Sequence, residues 1–202
     1  MDRVILIGYF IETVELCEKC GCTIAGVVNN EGKSSYPYLG NDDCFINNYL
    51  RYLDIPLVIT PDSPSTRKKL YERYKKLGFQ FKTLIAPEAI ISKSANISEG
   101  CVIQSLCNIS SNVSLGKCVR VNTGANIMHD TVVGDFSTVA PNAVLLGRCS
   151  IGPECYIGAN STVLPKVKIC ANGGVVVGAG AVVTKDINSG MTVVGVPAKK
   201  LP

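Results

Sequence analysis

From Ile85 in steps of six, the chain reads Ile85, Ile91, Ile97, Ile103, Ile109, Leu115, Val121, Ile127, Val133, Val139, Leu145, Ile151, Ile157, Val163 and Ile169. All 15 positions are Ile, Leu or Val, types that make up roughly a fifth of ordinary sequence, so chance does not produce the run. Four residues after each stands a small or β-branched residue, such as Cys101, Ala125, Thr131, Ser137, Cys149 or Ser161. A period of six fits neither an α-helix nor a long flat strand. It fits short strands joined by tight corners, with one aliphatic side chain per hexad pointing inward. Three hexads close a triangular turn, and five such turns stack to about 24 Å at the ~4.8 Å spacing of paired strands. The register breaks over Ala171–Val176, by a two-residue insertion, and resumes at Val177 and Val183. A parallel β-solenoid is the expected fold of this part.

Residues 1–84 are composed differently. They hold 11 basic and 10 acidic residues, against 9 and 6 in residues 85–202, so a domain boundary is expected near Leu84. VILIGY (4–9), TIAGVVNN (23–30) and PLVIT (56–60) read as buried strands. Between the first two, Ile11, Val14 and Leu16 stand at near-helical spacing ahead of a capping Gly21. STRKKLYERYKKLG, after the third strand, predicts an amphipathic helix with Leu70, Tyr74 and Leu77 on one face. Strand–helix–strand order predicts a small α/β domain with a parallel sheet, whose ligands bind at the carboxyl ends of the strands, near Gly8–Glu12 and Asn29–Asn30. Residues 31–55 carry no pattern that assigns them a role.

The net charge of +4, without Trp and with 6% aromatics, excludes a nucleic-acid surface and suits a small anionic ligand. No stretch approaches the ~18 apolar residues of a spanning helix. Of the ten cysteines, Cys101, Cys107, Cys149 and Cys155 take the small interior position of a hexad, and Cys118 and Cys170 also lie in the coil. Cys17, Cys20 and Cys22 lack the second ligand pair of a zinc site, so no metal is expected. The expected setting is reducing and cytoplasmic, with no membrane contact.

The repeat, its entry TLIAPEAIIS and its exit VGAGAVVTKDI with VGVPAKK resemble the hexapeptide-repeat acetyltransferases. The α/β segment ahead of the coil resembles in particular the branch of sialic-acid O-acetyltransferases and nucleotide-sugar N-acetyltransferases, enzymes of polysaccharide biosynthesis. That resemblance implies a left-handed parallel β-helix over residues 85–202, an acceptor-binding Rossmann-like domain over 1–84, a homotrimer, and acetyl-CoA as co-substrate lying lengthwise between two coils. The family's glycine-rich first loop reads GYFIETVE here and keeps only Gly8. Tyr9, Phe10, Ile11 and Glu12 then narrow the space for a diphosphate, and Glu12 repels it. Asn29 and Asn30 stand in place of the family's acidic pair.

The sole histidine, His129, lies two positions after the inward Ile127 and so on the outside of the coil. It opens HDTVVGDF, which matches the family's His-acid pair ahead of a G-[DE]-F segment. The resemblance makes His129 the general base that takes a proton from a sugar amine or hydroxyl as it attacks the thioester. Asp130 then orients the imidazole, beside the plainer reading of a solvated corner residue. Gly147, one turn above His129, is the candidate oxyanion donor and cofactor contact. Matching the motif adds Thr138, Ala159, Ala179 and Lys199 on the cofactor, with Gly8, Tyr9, Phe10, Asn29 and Asn30 on the acceptor. A carbonic anhydrase on the same coil needs three histidines, and the chain has one. N-acetylation of a nucleotide-linked aminosugar is the reading taken, with O-acetylation of a sialic-acid-type sugar, or a non-catalytic assembly module, as alternatives.

Overall fold

The computed structural model describes residues 2–32, 34–169 and 174–201. A parallel three-stranded sheet opens the chain, with β1 (Arg3–Ile7) between β2 (Thr23–Val28) and β3 (Leu57–Ile59). All three strands are buried on both faces, as their continuous apolar runs require. Helix α1 (Ile11–Lys19) joins β1 to β2 and ends as expected, with Gly21 left-handed at φ 69° and Cys22 N–H closing back on Cys17 O at 2.9 Å. Its buried side is Thr13, Val14, Leu16 and Cys17, whereas Ile11, expected inside, is 56% exposed.

Residues 31–55 supply the short helix α2 (Asp42–Ile46), capped by Asn41, and a 3-10 turn over Tyr49–Tyr52. Phe45 seals the sheet, with its ring centroid 5.7 Å from that of Phe79. Helix α3 (Pro64–Lys75) begins at Ser63, whose Oγ accepts from Thr66 N–H. Its buried side is Arg67, Tyr71 and Tyr74, rotated from the expected Leu70–Tyr74–Leu77 face; both leucines pack at the margin of the core.

From Leu84 the chain winds into a β-helix of two-residue strands in three parallel sheets. One face carries Leu84, Val102, Arg120, Thr138 and Tyr156 outward; the second carries Ile90, Asn108, Asn126, Val144 and Thr162; the third carries Asn96, Ser114, Val132, Ser150 and Lys168. The inward residues from Ile103 to Ile169 are almost fully buried, while Ile85, Ile91 and Ile97 in the first turn are only partly covered. Interior hydroxyls still need partners, and they reach the next turn's backbone: Thr131 Oγ1 to Leu146 O at 3.0 Å and Ser137 Oγ to Gly152 O at 2.8 Å. The described cysteines are free thiols, and burial pushes Cys101 up to about 12.

Every sixth residue from Gly100 to Lys166 turns a corner in the left-handed region, including Leu106, Asn112, Asp130, Phe136 and Arg148. Tyr156 pairs with Val176 and Thr162 with Val182, two residues beyond the regular step, so the insertion lies between Ile169 and Val176. Residues 170–173, with Cys170 and most of the expected break, lie outside the described residues. Ile169 pairs with Ile187 at the regular step, because the link from Val183 to Ile187 is two residues shorter than a hexad.

The α/β domain sits on the first face. Leu84 and Val102 join the core beneath β1 and α1, and Phe136 packs edge-on against Tyr71. Arg67 fastens the two parts. Its Nε donates to Cys118 O at 3.0 Å, and its Nη2 to Ser137 O at 3.1 Å and Thr138 Oγ1 at 3.0 Å. Burial depresses its guanidinium to about 10, assisted by the neighbouring Arg120. Among the described residues no helix is long and apolar enough to cross a membrane.

Candidate active site

His129 and Asp130 occupy the corner between the second and third faces. The left-handed backbone at Asp130 (φ 59°) turns its carboxylate back onto the preceding side chain. Asp130 Oδ2 lies 2.9 Å from His129 Nδ1, while Oδ1 accepts from Asn112 Nδ2 at 3.1 Å and Arg148 Nε stands 3.7 Å from Oδ2. The hydrogen bond with His129, followed by that from Asn112, holds the Asp130 carboxyl below the usual carboxylate range. An ionised carboxylate only accepts, so Nδ1 carries the imidazole proton and Nε2 presents a lone pair.

That lone pair faces Gly147. A Cβ built on Gly147 would lie 2.6 Å from Nε2 and 2.7 Å from Cε1 of His129, so only glycine leaves the ring its place. Arg148 N–H donates to His129 O at 2.9 Å and fixes the two turns against each other. His129, Asp130 and Gly147 thus form one unit on one edge of the coil.

The other expected cofactor contacts lie elsewhere. Ala159 and Ala179 stack on the edge between the first and second faces, where Gly180 N–H donates to Ala159 O at 2.8 Å. Lys199 lies on the final strand (Lys199–Lys200) and lines a recess of about 340 Å³ with Lys185, Lys200 and Asp186 at the coil's end. Thr138 must be removed from the set. It is wholly buried beneath the α/β domain, where its Oγ1 accepts from Arg67 and donates to Asp62 O at 3.0 Å, and no cofactor can reach it.

Gly8, Tyr9, Phe10, Asn29 and Asn30 all line one cleft of about 410 Å³ at the carboxyl ends of β1 and β2. Gly8 is left-handed at φ 95°, and a Cβ there would strike Thr60 Oγ1. Asn29 Oδ1 accepts from Glu31 and Gly32 N–H, which shapes the rim. Asp42, Pro61, Thr66 and Leu70 complete the cleft and carried no sequence signal; Tyr74 Oη donates to Asp42 Oδ1. Glu12 does not enter it, contrary to expectation. Its carboxylate lies in a separate groove against the coil, where Gln104 Nε2 donates to Oε2 at 3.4 Å. The charge expected to repel a diphosphate therefore faces away from the acceptor cleft.

No family model matches the chain. Among solved structures it is similar to PerB from Caulobacter crescentus, crystallised with CoA and GDP-perosamine, with 28% identity and a TM-score of 0.92 over 100% of this chain and 98% of that one. It is similar to the acetyltransferase domain of PglB from Neisseria gonorrhoeae FA1090, with 30% identity and a TM-score of 0.90 over the whole of both chains. A curated GDP-perosamine N-acetyltransferase of Escherichia coli O157:H7 is 26% identical over 195 residues, 93% of this chain and 87% of that protein. Identity of this order along both complete chains, with the same α/β domain ahead of the same coil, shows that the chain belongs to the hexapeptide-repeat nucleotide-sugar N-acetyltransferases, enzymes that use acetyl-CoA.

Proposed function

We propose that the protein transfers the acetyl group of acetyl-CoA directly to the amino group of a nucleotide-linked aminosugar, with His129 as general base. The observation that carries this reading is the imidazole held at Nδ1 by Asp130, with Nε2 open over Gly147. As the amine nitrogen attacks the thioester carbonyl, Nε2 takes its proton. The new C–N bond forms, the C–S bond breaks, and the thiolate leaving as CoA recovers a proton from the imidazolium. Gly147 N–H is placed to receive the oxyanion of the tetrahedral intermediate. The cleft at Gly8, Tyr9, Phe10, Asn29 and Asn30 binds the nucleotide sugar, making residues 1–84 the acceptor domain and residues 85–202 the transfer domain. Lys185, Lys199 and Lys200 face the CoA phosphates at the coil's end. The free thiols fit a cytoplasmic enzyme.

The complexes of PerB with CoA and GDP-perosamine support an aminosugar acceptor. An assay following free CoA thiol over a panel of amino- and hydroxy-sugar nucleotides, GDP-perosamine included, tests it. Aminosugar nucleotides are expected to release CoA. Preferential turnover of the hydroxy-sugars would replace the N-acetylation reading with O-acetylation.

The site is shared between copies in this proposal. The α/β domain covers the first face, whereas His129 lies on the edge between the other two, and no coil residue lines the acceptor cleft. Gly147 and Ala159 lie on different edges, so a cofactor touching both runs between two coils. A closed trimer supplies three such seams, and Ile90 and Leu106, about 70% exposed, give it apolar surface to cover. Sedimentation should give three times the 21.5 kDa chain mass. A stable monomer at micromolar concentration would sink the shared site.

A further inference from the structure

Asn112 stands one turn below Asp130 on the same edge of the coil, and both are left-handed, at φ 58° and 59°. The corner itself does not demand asparagine, since Leu106, Phe136, Arg148 and Lys166 fill the equivalent position elsewhere. Its side chain is what distinguishes it. The amide donates to Asp130 Oδ1 at 3.1 Å, and its own backbone N–H is tied to Ser94 Oγ at 3.0 Å in the turn below. Asp130 Oδ2, the oxygen engaged by His129 Nδ1, also faces Arg148 Nε from the turn above. The carboxylate is therefore poised between an amide below and a guanidinium above. A charge-assisted bond to arginine is the stronger attraction. Without the anchor on Oδ1, the carboxylate turns toward Arg148, and the imidazole loses the contact that fixes its tautomer and tilt.

We propose that Asn112 is a positioning residue for the transfer reaction: it pins one oxygen of Asp130 so that the other stays on His129 against the pull of Arg148. The inference rests on the reading of His129 as general base. The charged and titratable groups facing this unit within the protomer are Asp130, His129 and Arg148.

Asn112→Gly keeps the left-handed corner without strain and removes only the amide. Steady-state kinetics across the neutral pH range should show kcat down about 10-fold, with KM for acetyl-CoA and for the acceptor changed by less than about 2-fold. The melting temperature should hold. The acidic limb of the pH profile should move to lower pH, because the imidazolium loses its carboxylate. Asn112→Asp places a second carboxylate beside the first and should move the same limb to higher pH. A merely structural residue would not shift the limb in opposite directions in the two variants. Native kcat and an unmoved limb in Asn112→Gly, beside an inactive His129→Ala, would overturn the role of Asn112 and leave the general base standing. Native activity in both variants would overturn the base itself.

Discussion

His129→Ala is expected to lower kcat by about 10²-fold or more, the scale of a lost general base, and to leave acetyl-CoA affinity within about 2-fold. The side chain is half-exposed and packs no core, so folding should be untouched. Nothing else on this edge can take its place: Asp130 faces Nδ1 and carries a depressed pKa, which makes it a poor proton acceptor, and Arg148 is a cation. PerB variants with a histidine replaced were crystallised with CoA and GDP-perosamine still bound, which supports a loss in turnover rather than in binding. Steady-state rates together with calorimetric titration of acetyl-CoA separate the two. A folded variant with near-native kcat would remove His129 from the chemistry.

Gly147→Ala should be almost as damaging, although it adds a single methyl group at a residue that need not touch substrate with a side chain. The new Cβ would fall 2.6 Å from His129 Nε2, well inside contact distance, and the ring must swing away. Its other nitrogen is held by Asp130, so the swing also strains that bond. A displacement of the base by roughly 1 Å costs on the order of 10²-fold in rate. Gly147 is not left-handed, so alanine brings no backbone strain, and stability should change by less than about 1 kcal/mol. Urea denaturation and initial rates measured on the same preparation test both halves. Native turnover would mean that Nε2 does not take the proton from the position described.

The coil was legible in the sequence because its physics is local and repeated. One inward aliphatic and one tight corner per hexad leave a mark every six residues, and strand pairing between turns then follows by counting. The His129–Asp130–Gly147 unit was legible for the same reason, since one turn of 18 residues carries position 129 onto 147. The α/β domain was harder to read where polar groups are buried. Apolar spacing phases α3 on Leu70 and Leu77, because a periodicity argument does not count a guanidinium satisfied by backbone carbonyls as inward-facing; Arg67 is such a group. Thr138 was misplaced because its motif position says nothing of what covers that face. Glu12 was misjudged because backbone proximity to Gly8 does not fix the direction of a side chain. Asp42 and Thr66 reach the cleft from segments far apart in the chain, and no local pattern links them to it.

The two extra residues after Ile169 and the two missing before Ile187 give the coil something like a reading frame. Along a stack of 18-residue turns, the height of a side chain and the edge it occupies are set by counting residues. An uncompensated insertion rotates every later position onto a different edge. Placed between 129 and 147, it would slide a new residue over the imidazole and leave Asp130 facing another neighbour. The alteration tolerated here lies above the catalytic pair and is cancelled within one turn, so the final strands return to phase. Length changes in this chain therefore behave like frameshifts: harmless when promptly restored, and ruinous to the active edge when they precede it.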